Sequence, residues 1–162
     1  MSSEITKKFI LDVTAGFRMM WYNKNHPNAV YLDKRSECEP DIIGDYKSLS
    51  QFDDETFRLV IFDPNHRVGS KPPEGFIKSY GEPLQPEVWQ SEFRQAYHEF
   101  MRVLKPYGIL LFKWTTYRIA IESVLRCFPD KPIIRQKTTG HQQKKHSKTY
   151  WFCFMKIPEG LK

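Results

Sequence analysis

Leu59-Val60-Ile61-Phe62-Asp63-Pro64-Asn65-His66 is the stretch on which the reading of this chain turns. Four consecutive apolar residues, two of them β-branched, form the pattern of a central parallel strand covered on both faces. Asp63-Pro64 ends that strand, because proline brings no N–H to a sheet ladder. Asp-Pro-Asn is also ordinary turn chemistry, so the stretch taken alone reads first as a plain strand and turn, and a second strand of the same kind at the start of the chain is what favours a functional reading. An acid at the carboxyl end of a central strand lies where open α/β sheets bind their ligands.

Working outward, residues 8–13 read as the first strand, followed by a turn at Thr14-Ala15-Gly16-Phe17 and a short helix over residues 18–22. Residues 29–33 and 41–45 are the second and third strands, ending in Asp33 and Asp45. Downstream of the opening stretch, residues 67–86 form a long loop containing Gly69, Pro72, Pro73, Gly75, Gly81 and Pro83. A structureless segment of that length in a compact domain is usually functional. Pro86 opens a helix, with Trp89, Phe93, Ala96, Tyr97, Phe100 and Leu104 on one stripe. Lys105-Pro106-Tyr107-Gly108 is expected to stop it before a fifth strand at 109–114. A second amphipathic helix follows over about 117–128, then strands at 132–136 and 149–156. Alternating strands and helices predict a single α/β domain over residues 1–162, doubly wound, with a mostly parallel seven-stranded sheet. The last two strands, joined without a helix, predict an antiparallel C-terminal hairpin.

A chain of 162 residues suits one domain, which buries roughly 70% of its unfolded surface without needing a staple. Cys38, Cys127 and Cys153 are widely spaced and odd in number, which argues for a reducing compartment rather than a disulfide framework. No cysteine–histidine cluster has zinc-ligand spacing, so no metal is expected. Met1-Ser2-Ser3-Glu4 lacks the apolar run of a signal peptide and no segment approaches a membrane span; a soluble, cytoplasmic protein is expected. The net charge of +6 is compatible with an anionic partner and equally with plain solubility.

Asp12, Asp33 and Asp45 end three successive strands, and in a parallel sheet such ends lie along one edge. Asp33 follows Asp12 by about 20 residues, the placement of an acid that accepts hydrogen bonds from both ribose hydroxyls of a nucleoside. Asp45, one strand over, can accept a bond from an adenine amino group. Gly16 lets the first turn approach a ligand closely. A nicotinamide dinucleotide would want a fuller glycine turn and a helix start for its pyrophosphate, and Asp12 beside that turn would repel it. A nucleoside carrying a sulfonium and an ammonium, such as S-adenosylmethionine, suits these acids better.

The order Asp12-x-Thr14-Ala15-Gly16, Asp33, Asp45, Asp63-Pro64-Asn65-His66 and Leu104-Lys105-Pro106-Tyr107-Gly108 before an apolar strand resembles a class I S-adenosylmethionine-dependent methyltransferase. More narrowly it resembles small phage- or prophage-type members with an Asp-Pro-Pro-His or Asp-Pro-Pro-Tyr signature. The first turn has one glycine where that family commonly has two or three, and Asn65 stands at the second proline. The resemblance implies a Rossmann-like class I fold over nearly the whole chain and S-adenosylmethionine as cofactor. It implies cofactor contacts at Asp12, Thr14, Ala15, Gly16, Asp33, Lys34, Asp45 and Tyr46. It assigns catalysis to Asp63, Pro64 and His66: the acid and the proline carbonyl hold a target amino group while the imidazole stacks on its ring. Asn65, Lys113, Trp114, Lys144 and Lys145 are the expected substrate contacts. DNA or RNA, with adenine first, is the expected acceptor. Basic residues in the 137–148 loop, with Tyr150 and Trp151 close by, offer phosphate attraction and stacking. A small molecule or protein side chain as acceptor, or a module that binds cofactor or partner without turnover, are the alternatives.

Overall fold

The computed structural model describes residues 7–69, 75, 80–117, 119–138 and 147–161. Seven strands make one sheet: β1 (Ile10–Asp12), β2 (Ala29–Asp33), β3 (Ile42–Ile43), β4 (Phe57–Phe62), β5 (Leu104–Thr115), β6 (Ile134–Lys137) and β7 (Thr149–Met155). Their order is β3-β2-β1-β4-β5-β7-β6. β1 pairs in parallel with β2 on one side and β4 on the other, and β2–β3 and β4–β5 are also parallel. β7 runs antiparallel between β5 and β6, so the C-terminal hairpin forms as expected and inserts its second strand next to β5. The chain therefore reverses its crossover direction between β1 and β4, which opens a crevice at the carboxyl ends of both.

The core lies on one face of this sheet. Leu11, Val30, Leu32, Val60, Phe62, Leu110, Phe112, Phe152 and Phe154 alternate toward it and are fully buried. α1 (Trp89–Val103) and α2 (Ile121–Leu125) both pack there. Phe62 sits at the centre, its ring 5.2 Å from Phe93, 5.0 Å from Phe100 and 5.5 Å from Phe112. Each such aromatic side chain contributes roughly 1.5–3 kcal/mol by leaving water. The opposite face carries a small cluster of Ala15, Ala29 and Tyr31 beneath Trp21. Neither the β1–β2 nor the β2–β3 crossover contains an α-helix; the second has one 3-10 turn at Ser36–Cys38. The strand order is that of the expected doubly wound sheet, but α1 and α2 share one face and neither of the first two crossovers brings an α-helix to the other.

The helix expected at residues 18–22 is absent for a local reason. Arg18 adopts φ 56°, a left-handed conformation that ends any right-handed turn. Its guanidinium is held by Lys24 O at 3.0 Å, Asn25 Oδ1 at 2.9 Å and Glu39 O at 2.8 Å, contacts that no local pattern announces. Residues 105–108 do not break the chain before a fifth strand but belong to β5, as a bulge opposite Phe57–Leu59. Tyr107 takes φ 60°, and a Cβ at Gly108 would come within 2.8 Å of Lys105 O, so glycine is required there. The second helix is shorter than expected. Parts of the long loop (70–74 and 76–79) and of the basic hairpin connection (139–146) lie outside the described residues.

Candidate functional site

Two adjoining clefts open at the carboxyl edge of the sheet. The larger, about 380 Å³, lies over the ends of β1, β2 and β3 and is walled by Thr14, Asp33, Lys34, Asp45 and Tyr46. The smaller, about 350 Å³, lies over the ends of β4 and β5 and takes in His66, Arg67, Lys113, Thr115, Tyr117 and Thr149. Asp63, Pro64, Asn65 and Tyr80 line both. β4 thus delivers the residues that follow it to the partition between them.

Short bonds between neighbouring strand ends fix this partition. Asp63 N donates to Thr14 Oγ1 at 2.8 Å, tying the end of β4 to the β1 turn. Lys113 Nζ, from β5, donates to Asp63 Oδ2 at 2.6 Å, and His66 Nε2 lies 3.3 Å from Asp63 Oδ1. Burial pushes the Asp63 carboxyl up, but the His66 bond and the Lys113 charge outweigh it and hold it below the ordinary carboxylate value. The acid is therefore ionised at neutral pH. Lys113 Nζ also lies 5.5 Å from the Trp151 ring centroid, within cation–π range. The Arg67 guanidinium stands 4.6 Å over the Tyr117 ring, and the Thr115 and Thr149 hydroxyls meet at 2.8 Å. The smaller cleft is thus cationic, aromatic and rich in hydroxyls.

In the larger cleft, Asp45 accepts Lys47 N at 3.0 Å and faces Lys47 Nζ at 3.4 Å, while the same ammonium bonds Glu92 Oε1 at 2.7 Å. Tyr46 is pushed above the ordinary phenol value by burial first, then by the Glu92 and Asp45 charges, so it stays a neutral donor. Gly16, at φ +48°, points its N–H to Asp33 Oδ2 at 2.8 Å.

Not every expected residue reaches a cleft. Asp12 is fully buried, accepting Thr14 N at 3.1 Å and Trp21 Nε1 at 2.7 Å. It braces the turn from beneath and lines neither cleft. Ala15 and Gly16 shape the turn through backbone bonds to Leu32 O and Asp33. Trp114, expected at the rim beside Lys113, is fully buried against His66, Phe93 and Phe112. Adjacent residues of a strand face opposite sides, so Lys113 at the cleft puts Trp114 in the core. Asn65 acts on the loop: its Nδ2 donates to Gly81 O at 2.9 Å and Glu82 O at 3.2 Å, and its Oδ1 accepts Arg67 N at 3.0 Å. His66 Nδ1 and Trp114 Nε1 are buried without a hydrogen-bond partner among the described residues. Lys144 and Lys145 lie outside the described residues. Arg35, Lys47, Arg67 and Tyr80 enter the site unannounced. Arg35 and Lys47 each stand two residues after a strand-tip acid, a spacing that could have singled them out.

No family model and no curated protein matches this chain. Solved structures do. An N-methyltransferase, NodS from Bradyrhizobium japonicum WM9, superposes with a TM-score of 0.62 at 14% identity, over 93% of this chain and 86% of that one. A putative rRNA-methylase from Clostridium thermocellum gives a TM-score of 0.54 at 16% identity, over 95% and 89%. An rRNA methylase from Streptococcus thermophilus gives 0.55 at 12%, over 94% and 89%. At these identities the likeness speaks to architecture: the chain has the α/β, Rossmann-like fold of S-adenosylmethionine-dependent methyltransferases, with its mostly parallel seven-stranded sheet and antiparallel C-terminal pair.

Proposed function

We propose that the protein is an S-adenosylmethionine-dependent methyltransferase acting on an amino nitrogen of nucleic acid, adenine first among candidates. The observation that carries this reading is the shared partition of Asp63, Pro64 and Asn65 between two clefts. A methyl donor on one side and an acceptor on the other meet at its edge, and such positioning is worth up to about 7–11 kcal/mol.

The donor set of the larger cleft fits the cofactor. The Asp33 and Asp45 carboxylates and the half-buried Tyr46 phenol suit a cationic nucleoside, and about 380 Å³ lies within the roughly 300–1,000 Å³ usual for small-molecule sites. Asp33 would hold the ribose, Asp45 and Tyr46 the adenine, and the Thr14-Ala15-Gly16 turn with Lys34 the remainder. The cofactor supplies a methyl group already activated by its sulfonium, so strong acid–base chemistry is not required of the protein. Asp63, kept ionised, accepts a hydrogen bond from the acceptor amino group, which takes the place of Lys113 on Oδ2. Lys113 has a second seat against Trp151. The Pro64 carbonyl takes the second N–H, and the acceptor lone pair is drawn out of conjugation. His66 offers its face to the target ring.

Several features support a nucleic acid acceptor. Arg67 and Lys113 bring positive charge to the acceptor cleft, Tyr80 and Tyr117 bring rings, and the chain carries +6 overall. Lys144 and Lys145 belong to the connection between the two hairpin strands beside it. Two of the fold neighbours are described as rRNA methylases. The Asp63–His66 stretch then stands as a variant of the phage-type amino-methyltransferase signature, in a cytoplasmic enzyme. Titration calorimetry with S-adenosylmethionine, followed by a labelled-methyl assay on DNA, RNA and protein pools, tests the reading. Label should enter nucleic acid, and Asp63→Ala should abolish transfer while leaving cofactor affinity within a few fold. Transfer that survives Asp63→Ala overturns the role of that acid, and label confined to protein overturns the acceptor class.

A further inference from the structure

Asp33 is the acid on which the ribose reading depends, and its acceptor positions are already filled. Gly16 N donates to Oδ2 at 2.8 Å and Arg35 N to Oδ1 at 3.0 Å. The Arg35 side chain adds Nε to Oδ1 at 3.0 Å and Nη2 to Oδ2 at 3.2 Å. A carboxylate offers about four lone-pair sites, so these four donors saturate it. The Arg35 side chain is only 15% exposed. Its guanidinium lies in a slot between two glycines: a Cβ at Gly16 would stand 3.1 Å from Nη2, and one at Gly81 would stand 3.5 Å from Nε. Arg35 also lines the larger cleft, beside Asp33.

We propose that Arg35 is a placeholder in the nucleoside site: it occupies the hydroxyl-binding face of Asp33 until a vicinal diol displaces it. The proposal rests on the reading of the larger cleft as the S-adenosylmethionine site. The two backbone donors, Gly16 N and Arg35 N, keep the carboxylate aimed throughout, and the two side-chain donors are exchanged for two hydroxyls. Arg35 thereby sets specificity. A ligand without both hydroxyls cannot repay the two charge-assisted bonds it breaks, and a ligand with them can. The exchange also reaches the loop. The guanidinium lies next to Gly81, whose carbonyl accepts a bond from Asn65 Nδ2. Displacing Arg35 leaves that loop fastened by Asn65, next to the acceptor cleft.

The test is binding by the full chain, read by titration calorimetry with S-adenosylhomocysteine, adenosine and 2′,3′-dideoxyadenosine. Arg35→Met keeps an unbranched stem in the glycine slot and removes the competing fork. It should tighten S-adenosylhomocysteine and adenosine by about tenfold, the expected gain when a competing closed state is removed. Dideoxyadenosine should show no such gain. Without ligand, Arg35→Met should melt at a lower temperature than wild type, because Asp33 has lost its partner. Arg35→Lys, which keeps the charge and loses the fork, should fall between the two and serves if the methionine variant fails to fold. Weaker or unchanged binding of adenosine by these variants, or an equal gain for dideoxyadenosine, overturns the placeholder role while leaving the cofactor reading intact. A wild-type chain that binds none of the three ligands overturns the cofactor reading itself.

Discussion

Replacing Asp12 by asparagine should make the chain more stable relative to wild type as pH rises. Asp12 ends β1 in full burial, with Thr14 N and Trp21 Nε1 as donors. Burial pushes its carboxyl from the ordinary 3.8 up to about 7, more than those two bonds recover; the charges of Asp63 and Asp33 push the same way. The unfolded chain releases this proton near pH 4, whereas the folded chain keeps it to about 7. Between those values the native state binds one proton more, so the Asp12 contribution to stability declines as pH rises and levels off above about 7. A shift of about three units at about 1.4 kcal/mol each puts the full swing near 4 kcal/mol. The substituted asparagine does not titrate. Its amide turns one N–H toward Thr14 or Trp21, a fixed penalty that is the same at every pH. Urea unfolding of Asp12→Asn and wild type at pH 4, 6 and 8 isolates the titration, because Asp63 and Glu99 are common to both. The difference between the two chains should move by up to about 4 kcal/mol in the variant's favour. A difference that stays flat within 1 kcal/mol refutes the reasoning.

Two further changes follow from bonds around the clefts. Arg102, near the end of α1, donates to Leu49 O and Phe52 O at 3.0 Å each and so pins the segment that leads into β4. Its ion pair with Asp54 adds little, since that carboxylate is 73% exposed. Arg102→Met should cost about 2–3 kcal/mol in chemical denaturation, mostly from the two stranded carbonyls; a loss under 0.5 kcal/mol would show that water replaces the arginine. Asn65→Ala removes both tethers to the Gly81–Glu82 backbone. Limited proteolysis should then cut the 80–85 segment faster while the melting temperature moves little, and an unchanged cutting rate would show that the loop is held by other contacts.

The strands are legible because their patterning is local. Residues 29–33 are bounded correctly from sequence, since the apolar run Ala29-Val30-Tyr31-Leu32 between Asn28 and Asp33 reads as a strand. The first crossover is not legible. Arg18 is held by Lys24, Asn25 and Glu39, so its backbone is set by tertiary partners rather than by its neighbours in sequence. The same division runs through the site. Asp33, Asp45 and Asp63 can be found as strand-tip acids, whereas the Lys113–Asp63 pair cannot, because it forms across two strands. Asp12 looks like its fellow strand-tip acids but answers to Trp21 from below the turn. Trp114 is the avoidable miss, because strand alternation already assigns it the opposite side from Lys113.

That alternation makes β5 the most register-critical segment of the protein. Inserting or deleting a single residue between the bulge at Gly108 and Lys113 would exchange the faces of the whole outer half of the strand. An ammonium would be driven in beside Phe93 and Phe128, and a core side chain would be left beside a carboxylate that wants a cation. Folding and chemistry would fail together, so at this strand selection on one cannot be separated from selection on the other.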